Sequence, residues 1–286
     1  MTEILPAVPL RGDYAVNPDF SDDFEGRSLD RSKWVDFYAD WKGRAAGFFS
    51  PDNVRVEDGM LKLTARDVPA GSLTDEQKEM GFEPRSSAII RSRKKILYGC
   101  FQTEFRTMHA AVCNAFWLND PLDTEKKHRP GSFSDEIDMF EVFGKSPNGI
   151  ADTFFTTCHR MSTPYMEGRI FSGNTRFTNR KAAPKPFSFA RDFHTATFLW
   201  TPDHLEWYLD GQLEFRHPND YYHSPMRLNV DCEFMPGWCG RADSADLPSD
   251  FLLRYIRVWQ TASGPAAHAE TAADLSDSAL RNRKKA

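Results

Sequence analysis

Apolar and polar residues alternate along most of this chain, in short runs separated by turn residues. Residues 98–106 alternate cleanly, and residues 53–65 form two alternating runs joined by Glu-Asp-Gly, which is typical of a β-hairpin. A second hairpin tip is predicted at Asp210 and Gly211. Helical periodicity is nearly absent, apart from one turn at 75–80 inside an insertion. The pattern therefore predicts an all-β fold of two packed antiparallel sheets.

One stretch, Ser-Asp-Glu-Ile-Asp-Met-Phe-Glu-Val-Phe-Gly at 134–144, carries acidic residues among apolar ones. In an extended strand Glu136 and Asp138 point to the same face, because successive side chains alternate between faces. Glu141 joins them only if the strand accommodates one extra residue at Met139 or Phe140, as a β-bulge does. We therefore predict a bulged strand that carries the three carboxylates in one row.

Three carboxylates in one partly desolvated row predict acid–base chemistry. Like charges close together raise the pKa of at least one carboxyl, which creates a proton donor beside a group that stays ionised. Glycoside hydrolysis uses such a pair. Two alternatives are an edge strand with its acids facing water and a calcium site. The choice between retaining and inverting hydrolysis depends on the carboxylate separation, which the spacing along the chain leaves open.

Length and charge narrow the range of partners. The 286 residues suit one large all-β domain or two small ones. A net charge of −5 gives no general attraction to nucleic acid or anionic membranes, so neither is expected as a partner. No apolar run has the length of a membrane span. The first six residues lack the basic and apolar segments of a secretory signal, so the localisation stays open, and a monomer is expected.

The five cysteines, at 100, 113, 158, 232 and 239, are odd in number and form no pair of C-x-x-C clusters. Most of them lie in apolar, strand-like surroundings. We interpret them as buried free thiols that act as small hydrophobic residues. The alternative is a disulfide between Cys232 and Cys239.

The segment Glu-Ile-Asp-Met-Phe-Glu at 136–141 resembles the active-site signature of glycoside hydrolase family 16, in the form with one inserted residue. Ala-Phe-Trp-Leu at 115–118 is similar to another family element. The resemblance implies a β-jelly-roll sandwich with a concave substrate cleft over residues 20–260. An irregular segment at 1–19 precedes this catalytic domain, and a flexible tail at 261–286 follows it.

The same resemblance implies a retaining, endo-acting mechanism. Glu136 would be the nucleophile, Glu141 the acid/base and Asp138 the group that assists Glu136. No cofactor is required. Arg254 stands where many family members have aspartate, which argues against the structural calcium site that relies on that position.

Six further residues are candidates for contact with the sugar. Aromatic faces stack on pyranose rings, and arginine binds hydroxyl or anionic groups bidentately. Their alternative roles are packing in the core, at a sheet edge or on the wet side of a strand. The six candidates are Trp41, Arg44, Trp117, His159, Glu233 and Trp238.

The predicted partner is a polysaccharide, preferably a red-algal galactan of the agarose, porphyran or carrageenan type. This preference follows from the resemblance of the bulged motif, His159 and the loop with Trp41 and Arg44 to agarases, porphyranases and carrageenases. Cations at 126–129 would suit sulfated units. The alternatives are an endo-β-1,3(4)-glucanase of the laminarinase or lichenase type, a transglycosylase, and a carbohydrate-binding jelly roll without catalysis.

Overall fold

The computed structural model describes residues 8, 10, 12–39, 41–120, 133–162, 166–176 and 187–261. Only the backbone is described for residues 133, 161–162 and 166–176. Strands dominate. They are β1 (Tyr14–Val16), β2 (Trp34–Val35), β3 (Phe48–Phe49), β4 (Val54–Glu57), β5 (Met60–Asp67), β6 (Arg85–Ser92), β7 (Gly99–Arg106), β8 (Cys113–Asp120), β9 (Phe133–Val142), β10 (Thr153–Ser162), β11 (Met166–Arg176), β12 (His194–Trp200), β13 (His204–Leu209), β14 (Gln212–Pro218), β15 (Arg227–Glu233) and β16 (Ser249–Thr261).

Helical structure in the described residues is limited to short segments. Two are α-helices, α1 (Asp75–Glu79) and α2 (Pro236–Cys239), and three are 3-10 turns at Pro51–Asn53, Ala70–Ser72 and Ser244–Asp246. Helix α1 coincides with the predicted turn and begins with a capping box. Among the described residues, none of these helices has the length and apolar character needed to cross a membrane.

The strands form two sheets. The first sheet runs in the order β11-β10-β9-β8-β15-β6, and the second in the order β5-β16-β7-β12-β13-β14. They are joined where Arg66 and Asp67 pair with Ser86 and Arg85. Each neighbouring pair in these two orders is antiparallel. The predicted all-β jelly-roll sandwich is thus confirmed.

Aromatic rings fill the space between the sheets and support β9. Phe140 on β9 is fully buried and stacks on Phe105 of β7, with ring centroids 4.2 Å apart. Phe154 on β10 lies 5.9 Å from Phe140. Just after β9, a Cβ added to Gly144 would lie 2.0 Å from the Met108 carbonyl oxygen, so only glycine fits there. The strand with the acidic row therefore rests on a rigid, close-packed layer.

Both predicted hairpins are present. β4 and β5 are joined by Asp58 and Gly59, and β13 and β14 by Asp210 and Gly211. All four turn residues have positive φ, the conformation that Asp-Gly turns adopt.

Two expectations from the sequence need correction. Within the segment predicted to be irregular, Tyr14–Val16 forms β1 and pairs with the end of β16. Its three residues are too few to show a period, and its partner lies at the far end of the chain. All five cysteines are free and buried, so the alternative of a Cys232–Cys239 disulfide is wrong. The boundaries at 20, 260 and 261 stay predictions.

Arg254 lies on the second sheet. Its Nη1 is 2.5 Å from Glu104 Oε1, and its guanidinium lies 4.0 Å from the centre of the Phe193 ring. The arginine at this position is therefore held by an ion pair and an aromatic face.

Candidate active site

The acidic row on β9 is created by one extra residue in the strand. Phe140 pairs with Phe116 of β8, but Asp138 pairs with Trp117, so Met139 has no counterpart. Because Ala115 and Trp117 are two residues apart, their partners Glu141 and Asp138 lie on the same face of the first sheet. The predicted bulge is confirmed, and it turns Glu141 towards the outer face, the face directed away from the second sheet.

The three carboxylates differ in exposure. The Glu136 side chain is 25% exposed and the Asp138 side chain 6% exposed. Glu141 is half-buried. Glu136 and Glu141 are thus both partly exposed, while Asp138 between them is buried.

His159 lies against this row. It is opposite Glu136 on the neighbouring strand β10. Its Nε2 is 3.4 Å from Asp138 Oδ2 and 3.9 Å from Glu136 Oε1. His159 thus contacts the catalytic candidates, while its predicted contact with substrate stays a prediction.

The pKa of Glu141 is raised well above its usual range, chiefly by burial and then by the negative charges of Asp138 and Glu136. The Cys113 thiol donates a hydrogen bond to Glu141 Oε1, with Sγ 3.8 Å away. Burial also raises the pKa of Cys113, which keeps the sulfur protonated as a donor. Glu141 is therefore suited to hold a proton beside Glu136.

Carboxylate and imidazole atoms at this spacing suit either a divalent cation or proton transfer. Glu136, Asp138 and His159 each offer one such atom, and these atoms lie within 4.8 Å of one another. Glu141, whose raised pKa suits a proton donor, lies beside this group, which favours the interpretation as proton transfer.

The loop between β2 and β3 covers the outer face over β15. The Trp41 ring lies edge-on to Trp117, with centroids 6.2 Å apart. Arg44 Nε donates to Glu233 Oε2 at 2.7 Å, and its guanidinium lies 5.9 Å from the centre of the Trp41 ring. A Cβ on Gly47 would lie 2.5 Å from the Phe234 ring, so the loop packs tightly on the end of β15. Four of the six predicted sugar-contacting residues are brought together here: Trp41, Arg44, Trp117 and Glu233.

The loop over β15 contradicts the interpretation that the polar residues of this strand face water. The sequence allowed Glu233 a place on the wet side of its strand, but it is 1% exposed, and Asn229 and Asp231 on the same face are 0% and 3% exposed. Trp117 Nε1 donates to Asp231 Oδ1 at 2.8 Å. Burial raises the pKa of Asp231 well above its usual range and that of Glu233 to about 7. The wet-strand interpretation is wrong because a loop nearly 200 residues earlier in the chain lies over the strand.

Trp238 lies at the Glu141 end of the row. It is part of α2 and packs on Phe155 of β10, with ring centroids 4.9 Å apart. Phe155 is the residue opposite Glu141. Trp238 is thus near the acid/base candidate, and its part in closing the cleft stays a prediction. The cations at 126–129 lie outside the described residues.

Two residues near the row were not assigned from the sequence. Cys113 was interpreted as a small hydrophobic residue, and an apolar context gives no sign of its bond to Glu141. Asp231 shares a period-two face with Glu233, which placed it on the correct side of β15 but did not indicate its contact with Trp117.

A family model described as the GH16 domain of β-porphyranases A–D matches residues 14–261. β-Porphyranase D of Zobellia galactanivorans is 26% identical over 155 residues, covering 54% of this chain and 36% of that protein. A glucan endo-1,3-β-glucosidase A1 of Niallia circulans is 24% identical over 277 residues, covering 86% of this chain and 38% of that protein. The chain thus spans little more than a third of the length of these two relatives.

A crystal structure of porphyranase B from Zobellia galactanivorans superposes with a TM-score of 0.71 at 21% identity. The superposition covers 90% of this chain and 98% of that one. At this identity the likeness shows a shared fold, the β-jelly roll.

The raised pKa of Glu141 predicts a pH-dependent stability cost. Between the ordinary glutamate pKa and the raised one, the folded protein binds a proton that the unfolded chain has released, so stability falls as pH rises through this window. Glu141→Gln removes that loss. We expect the variant to be more stable than the wild type at pH 8, with the difference shrinking towards pH 4.

Urea denaturation of both proteins across this range measures the effect. Glu79→Gln, the same substitution at an exposed residue of α1, is the control for the substitution itself. A stability difference between wild type and Glu141→Gln that does not change with pH would contradict the prediction.

Proposed function

This chain belongs to glycoside hydrolase family 16, and from that premise we propose that it is a retaining endo-β-glycosidase acting on a red-algal galactan. The observation that carries the proposal is the bulged row on β9. It puts a partly exposed Glu136 on the same face of the sheet as Glu141, whose raised pKa suits a proton donor. Retaining hydrolysis needs this division of roles between two carboxyl groups.

In the first step, Glu136 attacks the anomeric carbon while Glu141 gives its proton to the glycosidic oxygen. The carbon–oxygen bond to the leaving sugar breaks, and a glycosyl ester of Glu136 forms. In the second step, Glu141 takes a proton from water as the water oxygen attacks the same carbon. The ester bond breaks, and Glu136 is released as a carboxylate.

Asp138 and His159 act on Glu136. Asp138 lies between the two glutamates, and His159 Nε2 is near one oxygen of each of Asp138 and Glu136. The negative charge of Asp138 adjusts the protonation of the row through coupled titration. The His159 imidazole, held against both carboxylates, helps to orient them.

Endo action is supported by the position of the row. β9 is the third of six strands in the first sheet, with β10 and β11 on one side and β8, β15 and β6 on the other. Strands on both sides of Glu136 support a substrate chain that extends past it in both directions and is cleaved within the polymer.

The galactan preference is supported by the porphyranase family model and by Arg44. The Arg44 side chain is 58% exposed, while its Nε is fixed by the buried Glu233. The two terminal amino groups then form a fork that matches a sulfate ester. The second candidate is an endo-β-1,3-glucanase, because the Niallia relative aligns with 86% of this chain. A purely binding function is disfavoured, since all three carboxylates are retained.

Product analysis on a panel of polymers tests the substrate. We expect oligosaccharides from porphyran, agarose or a carrageenan, and none from laminarin or lichenan, after incubation with purified protein and separation by chromatography. Products from the two glucans alone would transfer the assignment to the second candidate. Longer oligosaccharides formed from added acceptor sugars would indicate a transglycosylase.

Substitution of the two glutamates tests the mechanism. Glu141→Gln removes the proton donor and should lower kcat by about 10²–10⁴-fold, and Glu136→Gln should abolish turnover. Both variants should fold and still bind the polymer in affinity electrophoresis. Glu104→Gln, on the second sheet, is the matched control and should keep full activity. Unchanged turnover in either row variant would overturn the mechanism.

Arg44→Lys tests whether the Arg44 guanidinium recognises a sulfate ester of the substrate. Lysine keeps one positive charge beside Glu233 but loses the two-pronged donor. We expect kcat/KM on a sulfated galactan to fall about tenfold, with a smaller change on agarose, because a charged hydrogen bond contributes about 1.5–3 kcal/mol. An equal fall in kcat/KM on both polymers would show that Arg44 stabilises the loop and does not recognise sulfate.

A further inference from the structure

Two buried carboxyl groups of β15 face the acid/base candidate across β8. Asp231 pairs with Ala115, and Ala115 pairs with Glu141, so the three residues form one row across the sheet. The two acids are two strand spacings, about 10 Å, apart, and the residue between them is an alanine, so no long side chain separates the two carboxyls. Glu233 lies two residues further along β15 on the same face.

Asp231 is also hydrogen-bonded to Trp117, one of the predicted sugar-contacting residues. Its carboxyl accepts the Trp117 Nε1 hydrogen bond at 2.8 Å, and the residue is 3% exposed. A buried acid that holds an indole in place and faces the acid/base has a direct connection to both substrate binding and proton transfer.

Among the described residues, the charged and titratable groups around Glu141 come from β8, β9, β10, β15 and the loop between β2 and β3. Carboxyls outnumber cations in this set, so the groups cannot all be ionised together in a buried site. The set consists of Glu136 and Asp138 on β9, Cys113 on β8, His159 on β10, Asp231 and Glu233 on β15, and Arg44 in the loop.

The hydrogen-bond donors in this set are unequally distributed. Glu233 receives the Arg44 guanidinium, and Asp231 receives the Trp117 indole, both of which favour ionised carboxylates. Glu141 receives the Cys113 thiol, a weak donor. This distribution favours negative charge on β15 and the proton on Glu141, although burial opposes ionisation of all three.

We propose that Asp231 is a positioning residue of the reaction, which holds the Trp117 indole with its carboxylate and keeps the proton on Glu141. The catalytic part of this inference rests on the proposed function. The first reaction step needs Glu141 protonated, so activity declines as pH rises through the Glu141 pKa. If Asp231 ionises before Glu141, its negative charge across β8 moves that decline to higher pH.

Asp231→Asn separates the two roles, because asparagine keeps an acceptor oxygen for Trp117 but removes the charge. We expect the alkaline limb of the kcat/KM profile to move down by about one pH unit, as for strongly interacting groups, with KM nearly unchanged. Asp135→Asn is the matched control. It is a buried aspartate, 3% exposed, on the opposite face of β9 and should leave the limb in place.

The proposal is overturned if the alkaline limb of the kcat/KM profile moves equally in Asp231→Asn and Asp135→Asn, or moves in neither. Carboxyl ¹³C NMR titration of Glu141 gives a reading without substrate and without catalysis. Its midpoint should be lower in Asp231→Asn than in wild type.

If Asp231→Asn does not fold, carboxyl ¹³C NMR titration of the wild type still tests the proposal, because it shows whether Asp231 or Glu141 ionises first. An Asp231 that stays protonated until after Glu141 has ionised contradicts the proposal. Because this measurement needs no turnover, a protein that hydrolyses none of the polymers would refute the proposed function and leave the inference about Glu141 testable.

Discussion

One unmatched residue in a strand pairing governs the chemistry of this protein. If Met139 were paired regularly with β8, strict alternation from Asp138 would point Phe140 towards the outer face and Glu141 towards the core. The reverse arrangement is held by packing, since Phe140 is fully buried against Phe105, Phe116 and Phe154. The apolar layer therefore determines the direction of the carboxylates, and the register of β9 couples folding to function.

The outer face gathers groups that are unfavourable for stability. Asp231 and Glu233 are buried and Glu141 is half-buried, and the pKa of each is raised. Such groups oppose folding at neutral pH, and the large aromatic core offsets them. The same desolvation lets Glu141 retain a proton where an exposed glutamate would lose it. The burial that lowers the free energy of unfolding is therefore also what makes Glu141 a proton donor.

Local features of this fold could be predicted from the sequence, but contacts between segments far apart in the chain could not. Alternation and Asp-Gly turns located the hairpins, and the spacing of Glu136, Asp138 and Glu141 required a bulge. The contact of Arg44 with Glu233 joins residues 189 positions apart, and no local period indicates it. For the same reason the burial of β15 and the pairing of β1 with β16 were missed. The roles of the site residues stay predictions until they are tested.

Trapping the glycosyl–enzyme ester tests the central claim most directly. A 2-deoxy-2-fluoro glycoside with a good leaving group forms the ester but slows its hydrolysis, so mass spectrometry of a peptide digest can locate the label. The account predicts one sugar attached to Glu136. A label on Glu141 or Asp138 would contradict the assigned roles, and turnover to a product of inverted anomeric configuration would contradict the retaining mechanism.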